Sequence, residues 1–129
     1  MKYASRLNSF SSSPERCWGT ANYKPSPLEL LKRASGVRGL SAVDLNYPDH
    51  FAGPKPEQII SIARDQGLTV NGIAMRYYSD PGFKLGAFTH PDSRVRQAAI
   101  DLTKKAMDLL GQTGGNLLTI WLGQDGWEY

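Results

Sequence analysis

Few residues in this chain of 129 can carry chemistry. Its histidines are His50 and His90, and its single cysteine is Cys17. Asp49 and His50 stand side by side after an apolar run and the tip Asn46-Tyr47-Pro48. An adjacent carboxylate and imidazole can supply one acid/base group or one metal ligand. The same pair next to a proline also makes an ordinary turn, so His50 is a candidate catalytic group and not an assigned one. His90 precedes Pro91 at a helix entrance, which suits a local structural role. Asp44 sits inside an apolar run, where a buried carboxylate must be paired or functional. Trp121 closes the last apolar run and is either core or a platform for the CH face of a ligand. A lone cysteine supports neither an internal disulfide framework nor a thiolate metal cluster. There is no Walker loop, no G-x-G-x-x-G after the first strand and no H-E-x-x-H. Motifs alone therefore give no complete catalytic set.

The elements that must position these residues follow one recurring unit. Tyr3 to Phe10 alternates weakly and reads as a first strand. A long polar connection follows, with Trp18 and Tyr23 inside it. Ser26 and Pro27 form a helix start, with a hydroxyl to cap and a proline at the first position. Leu28, Leu31 and Ala34 recur at helical spacing, and Gly36 and Gly39 end the helix. Leu40 to Leu45 is a second strand passing into the polar tip that holds Asp49 and His50. Pro54 and Pro56 introduce a second helix through Ile59, Ile60 and Ala63, closed by Gly67. Leu68 to Met75 is a third strand ending in Arg76-Tyr77-Tyr78. Asp92 caps a third helix whose stripe is Val95, Ala98, Ala99, Leu102, Ala106, Leu109 and Leu110. Gly111, Gly114 and Gly115 break it. Asn116 to Trp121 is a fourth strand, apolar enough to be buried on both faces.

The order β-α-β-α-β-α-β predicts an α/β fold of (β/α) units with parallel strands. About four strands make either a small open sheet or half of an eight-stranded TIM barrel. A fourth strand with nothing after it leaves a bare edge. Hydrophobic residues are 40% of the chain and charged residues 21%, so a packed core is expected and disorder is not. The net charge of +3 is scattered over helices without a basic run, which argues against a nucleic-acid partner. No apolar stretch is long enough to span a membrane. With the lone cysteine, these features point to a cytoplasmic protein.

Two segments go beyond composition. Tyr78 to Arg96, YSDPGFKLGAFTHPDSRVR, is similar to the stretch of xylose isomerases that runs from the third strand's loop into the third helix. It keeps the Pro, the Phe-Lys, the Gly-x-Phe-Thr and the Val-Arg. Ile120 to Glu128, IWLGQDGWE, resembles that family's fourth-strand pattern Trp-Gly-Gly-Arg-Glu-Gly-x-Glu. The resemblance is to xylose-isomerase-like TIM-barrel sugar isomerases and epimerases. It implies that residues 1–129 are a single incomplete barrel domain, the first four β/α units of the amino-terminal half. It implies aldose–ketose interconversion or ketose epimerisation, assisted by a divalent metal such as Mn²⁺, Mg²⁺, Co²⁺ or Zn²⁺. The family's metal ligands come from later strands, so none is expected in this chain and all are expected beyond Tyr129. The fragment alone is then inactive, and the complete enzyme is expected to form a homo-oligomer.

By the same match Trp121 corresponds to the tryptophan lining the sugar site, and Tyr78 to a site phenylalanine. The second strand's catalytic histidine of xylose isomerases aligns with Asn46, and the Arg-Glu after the fourth strand has become Gln124-Asp125. Asn46, Asp49, His50, Tyr78, Trp121 and Gln124 are thus the expected substrate-binding residues. A different class of function is a noncatalytic α/β module that self-associates through its open sheet edge. Phosphodiester repair on the same barrel would need histidine metal ligands on early strands, for which only His50 and His90 are present.

Overall fold

The computed structural model describes residues 2–12, 16 and 23–123. Cys17, Trp18 and Gln124 to Gly126 lie outside the described residues. Four strands, β1 (Tyr3–Arg6), β2 (Leu40–Tyr47), β3 (Thr69–Met75) and β4 (Leu117–Thr119), alternate with three α-helices. These are α1 (Pro27–Ser35), α2 (Pro56–Asp65) and α3 (Ser93–Thr113). Each helix starts where its first residues satisfy the free amides of the first turn. Ser26 Oγ accepts from the Glu29 amide at 3.3 Å, and Glu29 Oε2 accepts from the Ser26 amide at 2.8 Å, a reciprocal cap. The Tyr23 hydroxyl donates to the other oxygen of Glu29, tying the preceding loop to the same cap. At α2 the Lys55 amide donates to Gln58 Oε1 at 2.9 Å. At α3 Asp92 Oδ1 accepts from the Arg94 amide at 2.8 Å.

All strand pairs are parallel, and the spatial order is β1-β2-β3-β4, the order of the sequence. A doubly wound sheet reverses its strand order at a switch point, whereas a barrel adds each strand beside the last. The helices agree: α1 packs on α2 and α2 on α3, so all three lie on one face. This is the architecture of half of a TIM barrel. The core lies between that helical layer and the sheet. Leu31, Val43, Leu45, Ile59 and Met75 are each fully buried in it, with Ile73 nearly so.

Several elements differ from expectation. β1 stops at Arg6, and Leu7–Ser11 is a 3-10 turn closed by Ser11 Oγ donating to the Asn8 carbonyl at 2.7 Å. Leu7, the first residue of this turn, is fully buried in the core. β2 runs on through Asn46 and Tyr47, because these pair with Ala74 and Met75 of β3. α3 passes through Gly111 and ends at Gly114, whose φ of +73° suits a residue without Cβ. A helical glycine costs about 1 kcal/mol, and buried Leu109 and Thr113 on either side offset that. On the same helix Ala98 is exposed rather than part of the stripe. β4 is shorter than its apolar run and is not buried on both faces. Among the described residues no strand pairs with its far edge, which leaves Leu117 and Ile120 about half exposed.

Gly72 sets the approach of β3 to β4. A Cβ there would stand 2.5 Å from the Leu117 carbonyl oxygen and 2.9 Å from Leu117 Cβ. Backbone cannot yield as a flexible side chain does, so the strands would have to part. Gly72→Ala is expected to destabilise the fold by about 1–3 kcal/mol, the usual range for overpacking. Urea denaturation followed by circular dichroism checks this; an unchanged midpoint would mean that β4 is not held by this contact.

Candidate functional site

The carboxyl ends of the strands border a polar cleft of about 410 Å³. Asn8 enters it from the turn after β1, Asn46 from the end of β2, and Arg76 from the residue after β3. Asp49 and His50 come from the 3-10 turn Asp49–Phe51, and Tyr23, Lys24 and Pro25 from the loop before α1. Parallel strands gather these residues at one end because every strand reaches it in the same direction.

Asn46 is 1% exposed and joins three elements. Its Oδ1 accepts from Arg6 Nη2 at 3.3 Å, and its backbone amide donates to His50 Nδ1 at 2.9 Å. The second contact fixes the imidazole. Because an amide can only donate, Nδ1 must be the ring's acceptor, and in neutral His50 the proton sits on Nε2. Burial, then the positive charges of Arg76 and Arg6, lower the His50 pKa to about 4. At neutral pH the ring therefore offers one N–H and no free lone pair. Such a group polarises or orients an oxygen; it does not take a proton.

Arg76 is held by two contacts. Its guanidinium carbon lies 4.7 Å from the Tyr78 ring centroid, and its Nε is 3.7 Å from Asp49 Oδ2. Gly123, at φ +65°, closes the other approach to Tyr78; a Cβ there would be 2.6 Å from Cδ1 of that ring. Arg6 stands 5.8 Å from the Trp121 ring centroid. Among the described residues, three buried polar side-chain atoms, Arg6 Nε, Asn8 Oδ1 and Arg76 Nε, have no hydrogen-bond partner. Such atoms are costly unless something satisfies them.

Of the residues expected from sequence, Asn46, Asp49 and His50 come together in the cleft. Tyr78 supports Arg76 from beside it, and Trp121, 50% exposed, stands over Arg6 beyond β4. Gln124 lies outside the described residues. Sequence reasoning missed Arg6, Arg76 and Asn8. A charged residue at the end of an apolar strand was the available signal for Arg76; Arg6 and Asn8 had none, both being expected inside the strand Tyr3 to Phe10. Asp44 accepts from Asn71 Nδ2 at 2.7 Å and is thereby paired. His90 Nδ1 accepts from the Asp92 amide at 3.0 Å and belongs to the entrance of α3.

No family model matches the chain. The xylose isomerase of Thermus thermophilus is 39% identical, covering 69% of this chain and 26% of that protein. The xylose isomerase of Thermus caldophilus is 38% identical, covering 70% and 25% respectively. Over the shared region the chain belongs to the xylose-isomerase-like family. It spans about a quarter of the length of these relatives.

The divalent metal implied by that family does not fit the residues described here. Among them no three His, Cys, Asp or Glu side chains gather as a metal site. His50 would have to lose its Nε2 proton to ligate, since Nδ1 is taken. Asp49 already faces the Arg76 guanidinium, whose charge opposes a dication.

The His50 arrangement has a consequence for stability. Its unfolded pKa is about 6.5 and its folded value about 4, so the unfolded chain binds the extra proton below pH 6.5. Stability is full above pH 6.5 and falls as pH drops toward 4. Between pH 7 and 5 the loss should be about 2 kcal/mol. Glu29 and Asp92, held down to about 2, stay ionised in the folded protein over that range. Chemical denaturation at several pH values should show this slope, and His50→Gln should flatten it. An equal slope in the variant would place the proton uptake elsewhere.

Proposed function

We propose that this chain supplies part of the substrate site of a sugar isomerase or epimerase. The reaction is aldose–ketose interconversion or ketose epimerisation, and residues 1–129 are four β/α units of an incomplete barrel domain. The observation that carries this reading is the polar cleft at the strand ends of a chain related to xylose isomerases. A sugar is a ring of hydroxyls, each able to donate and accept. The cleft offers the partners such a ring needs: Asn8 Oδ1 to accept, and the His50 and Arg76 N–H groups to donate. These residues bind and orient; the metal expected of such enzymes has no ligand set among them, and no step of theirs depends on it. Trp121, half exposed beside Arg6 and outside the cleft lining, offers an apolar face against which a CH face can lie.

The experiment is turnover of aldoses, xylose among them, followed by ketose formation, in the full-length protein and its Trp121 variants. Trp121→Ala should cost about 1 kcal/mol of stability or less, as for exposed sites, against roughly 3–5 kcal/mol for a core tryptophan. Turnover per folded molecule should drop at least about tenfold, with Trp121→Phe retaining most of it. Wild-type turnover of no sugar, or full turnover in Trp121→Ala, would remove the support for this reading.

One observation favours a second reading. Leu117, Ile120, Trp121 and Leu122 are all more than two-fifths exposed in and just beyond β4, a row of apolar surface beside an open edge. A noncatalytic module would self-associate there. Sedimentation showing association through this edge, together with no sugar turnover, would favour it; a homo-oligomer that turns over sugar supports the enzyme.

A further inference from the structure

The cleft carries more positive charge than its own residues neutralise, and this bears on which sugar it takes. Each arginine has five N–H donors and remains charged at any ordinary pH. Among the described residues no group accepts a hydrogen bond from the Arg76 side chain, whose Nε is 3.7 Å from the Asp49 carboxylate. Arg6 has one bond accepted, a 3.3 Å contact with the neutral amide of Asn46. The Nε atoms of both are buried without a partner. Lys24 and Arg76 are the cations that line the cleft and Asp49 its carboxylate, while Arg6 stands behind Asn46 outside that lining. Asp44, the next carboxylate on β2, already accepts from Asn71. Both guanidinium groups lie near enough to His50 to add to the effect of burial in lowering its pKa.

A neutral sugar would satisfy hydrogen bonds here but leave that charge standing. An oxyanion would satisfy both, and a guanidinium fork matches the two oxygens of a carboxylate or phosphate. The fork is also preorganised: stacking on Tyr78 and the contact with Asp49 hold Arg76 before any ligand arrives. We propose that this cleft takes a sugar bearing an oxyanionic group, a carboxylate or a phosphate, received by Arg76 with Arg6 behind it. The proposal rests on the reading of the cleft as a sugar site. Arg76 and Arg6 are then specificity-determining residues, distinguishing acidic sugars from neutral ones.

Calorimetry on the full protein with D-glucose, D-glucuronate, D-glucose 6-phosphate, inorganic phosphate and acetate tests this. An acidic sugar should bind at least about tenfold tighter than glucose. The better of the two acids tells carboxylate from phosphate. The preference should shrink as salt rises and collapse in Arg76→Gln, which should weaken binding of the acidic sugar by a much larger factor than binding of glucose. Arg6→Gln should reduce it too; Arg76, with its partly exposed side chain, keeps the test valid if the Arg6 variant does not fold. Glucose binding as tightly as glucuronate and glucose 6-phosphate would overturn the proposal and leave the sugar site standing. Free phosphate or acetate binding as well as the acidic sugars would overturn the sugar site while keeping the anion-binding arginines. Binding of none of the five would overturn the proposal.

Discussion

A buried asparagine must find hydrogen-bond partners, and the strand-end cleft is built on those that Asn46 finds. Its side chain meets Arg6 from β1, and its backbone amide meets His50 from the turn after β2. Removing the side chain would break the one described side-chain hydrogen bond of the partly buried Arg6 guanidinium. Moving the backbone would free the imidazole to change tautomer. The position thus links two strands and a turn, and it decides which chemistry His50 can offer. Here the residue at the end of β2 orients its neighbours, and a histidine four places on faces the cleft.

Charge is the second constraint. Guanidinium groups in a partly desolvated cleft are tolerated only where contacts hold them and something neutralises them. Aromatic rings do part of that work, Tyr78 under Arg76 and Trp121 near Arg6. Gly123 keeps the Tyr78 ring in place by leaving room for it, so the turn after β4 helps to position a cation that follows β3. The residues that hold the arginines therefore come from across the sheet and depend on the strand order.

The segment from Tyr78 to Arg96, which carried much of the family resemblance, is mainly architectural. Phe83 and Phe88 pack edge-on against Tyr77, with ring centroids 6.0 and 5.1 Å apart. The Tyr77 hydroxyl lies 2.6 Å from Thr103 Oγ1, pinning this loop to α3. Arg96 donates to the carbonyls of His90 and Pro91 and fixes the entrance of the same helix. These side chains hold a long loop against the barrel wall, and the cleft lies at its near end.

By itself the sequence determined the alternation of strands and helices, the caps at Ser26 and Asp92, and the pairing of Asp49 with His50 at a strand end. These are local matters: hydroxyl or carboxylate beside an apolar run, proline at a first turn, periodicity of two or of 3.6. It also marked Asn46 and Trp121 through the resemblance. Tertiary structure decided what those residues can do. The His50 tautomer depends on an amide four residues away becoming the end of a strand, and Arg6 and Arg76 act together only because β1, β2 and β3 lie side by side. The turn at Leu7–Ser11 and the exposed edge of β4 are likewise outcomes of packing, since apolar content does not say which neighbours a segment will find. Local rules act over one turn or one strand, whereas a site at the mouth of a parallel sheet is assembled from residues some seventy positions apart.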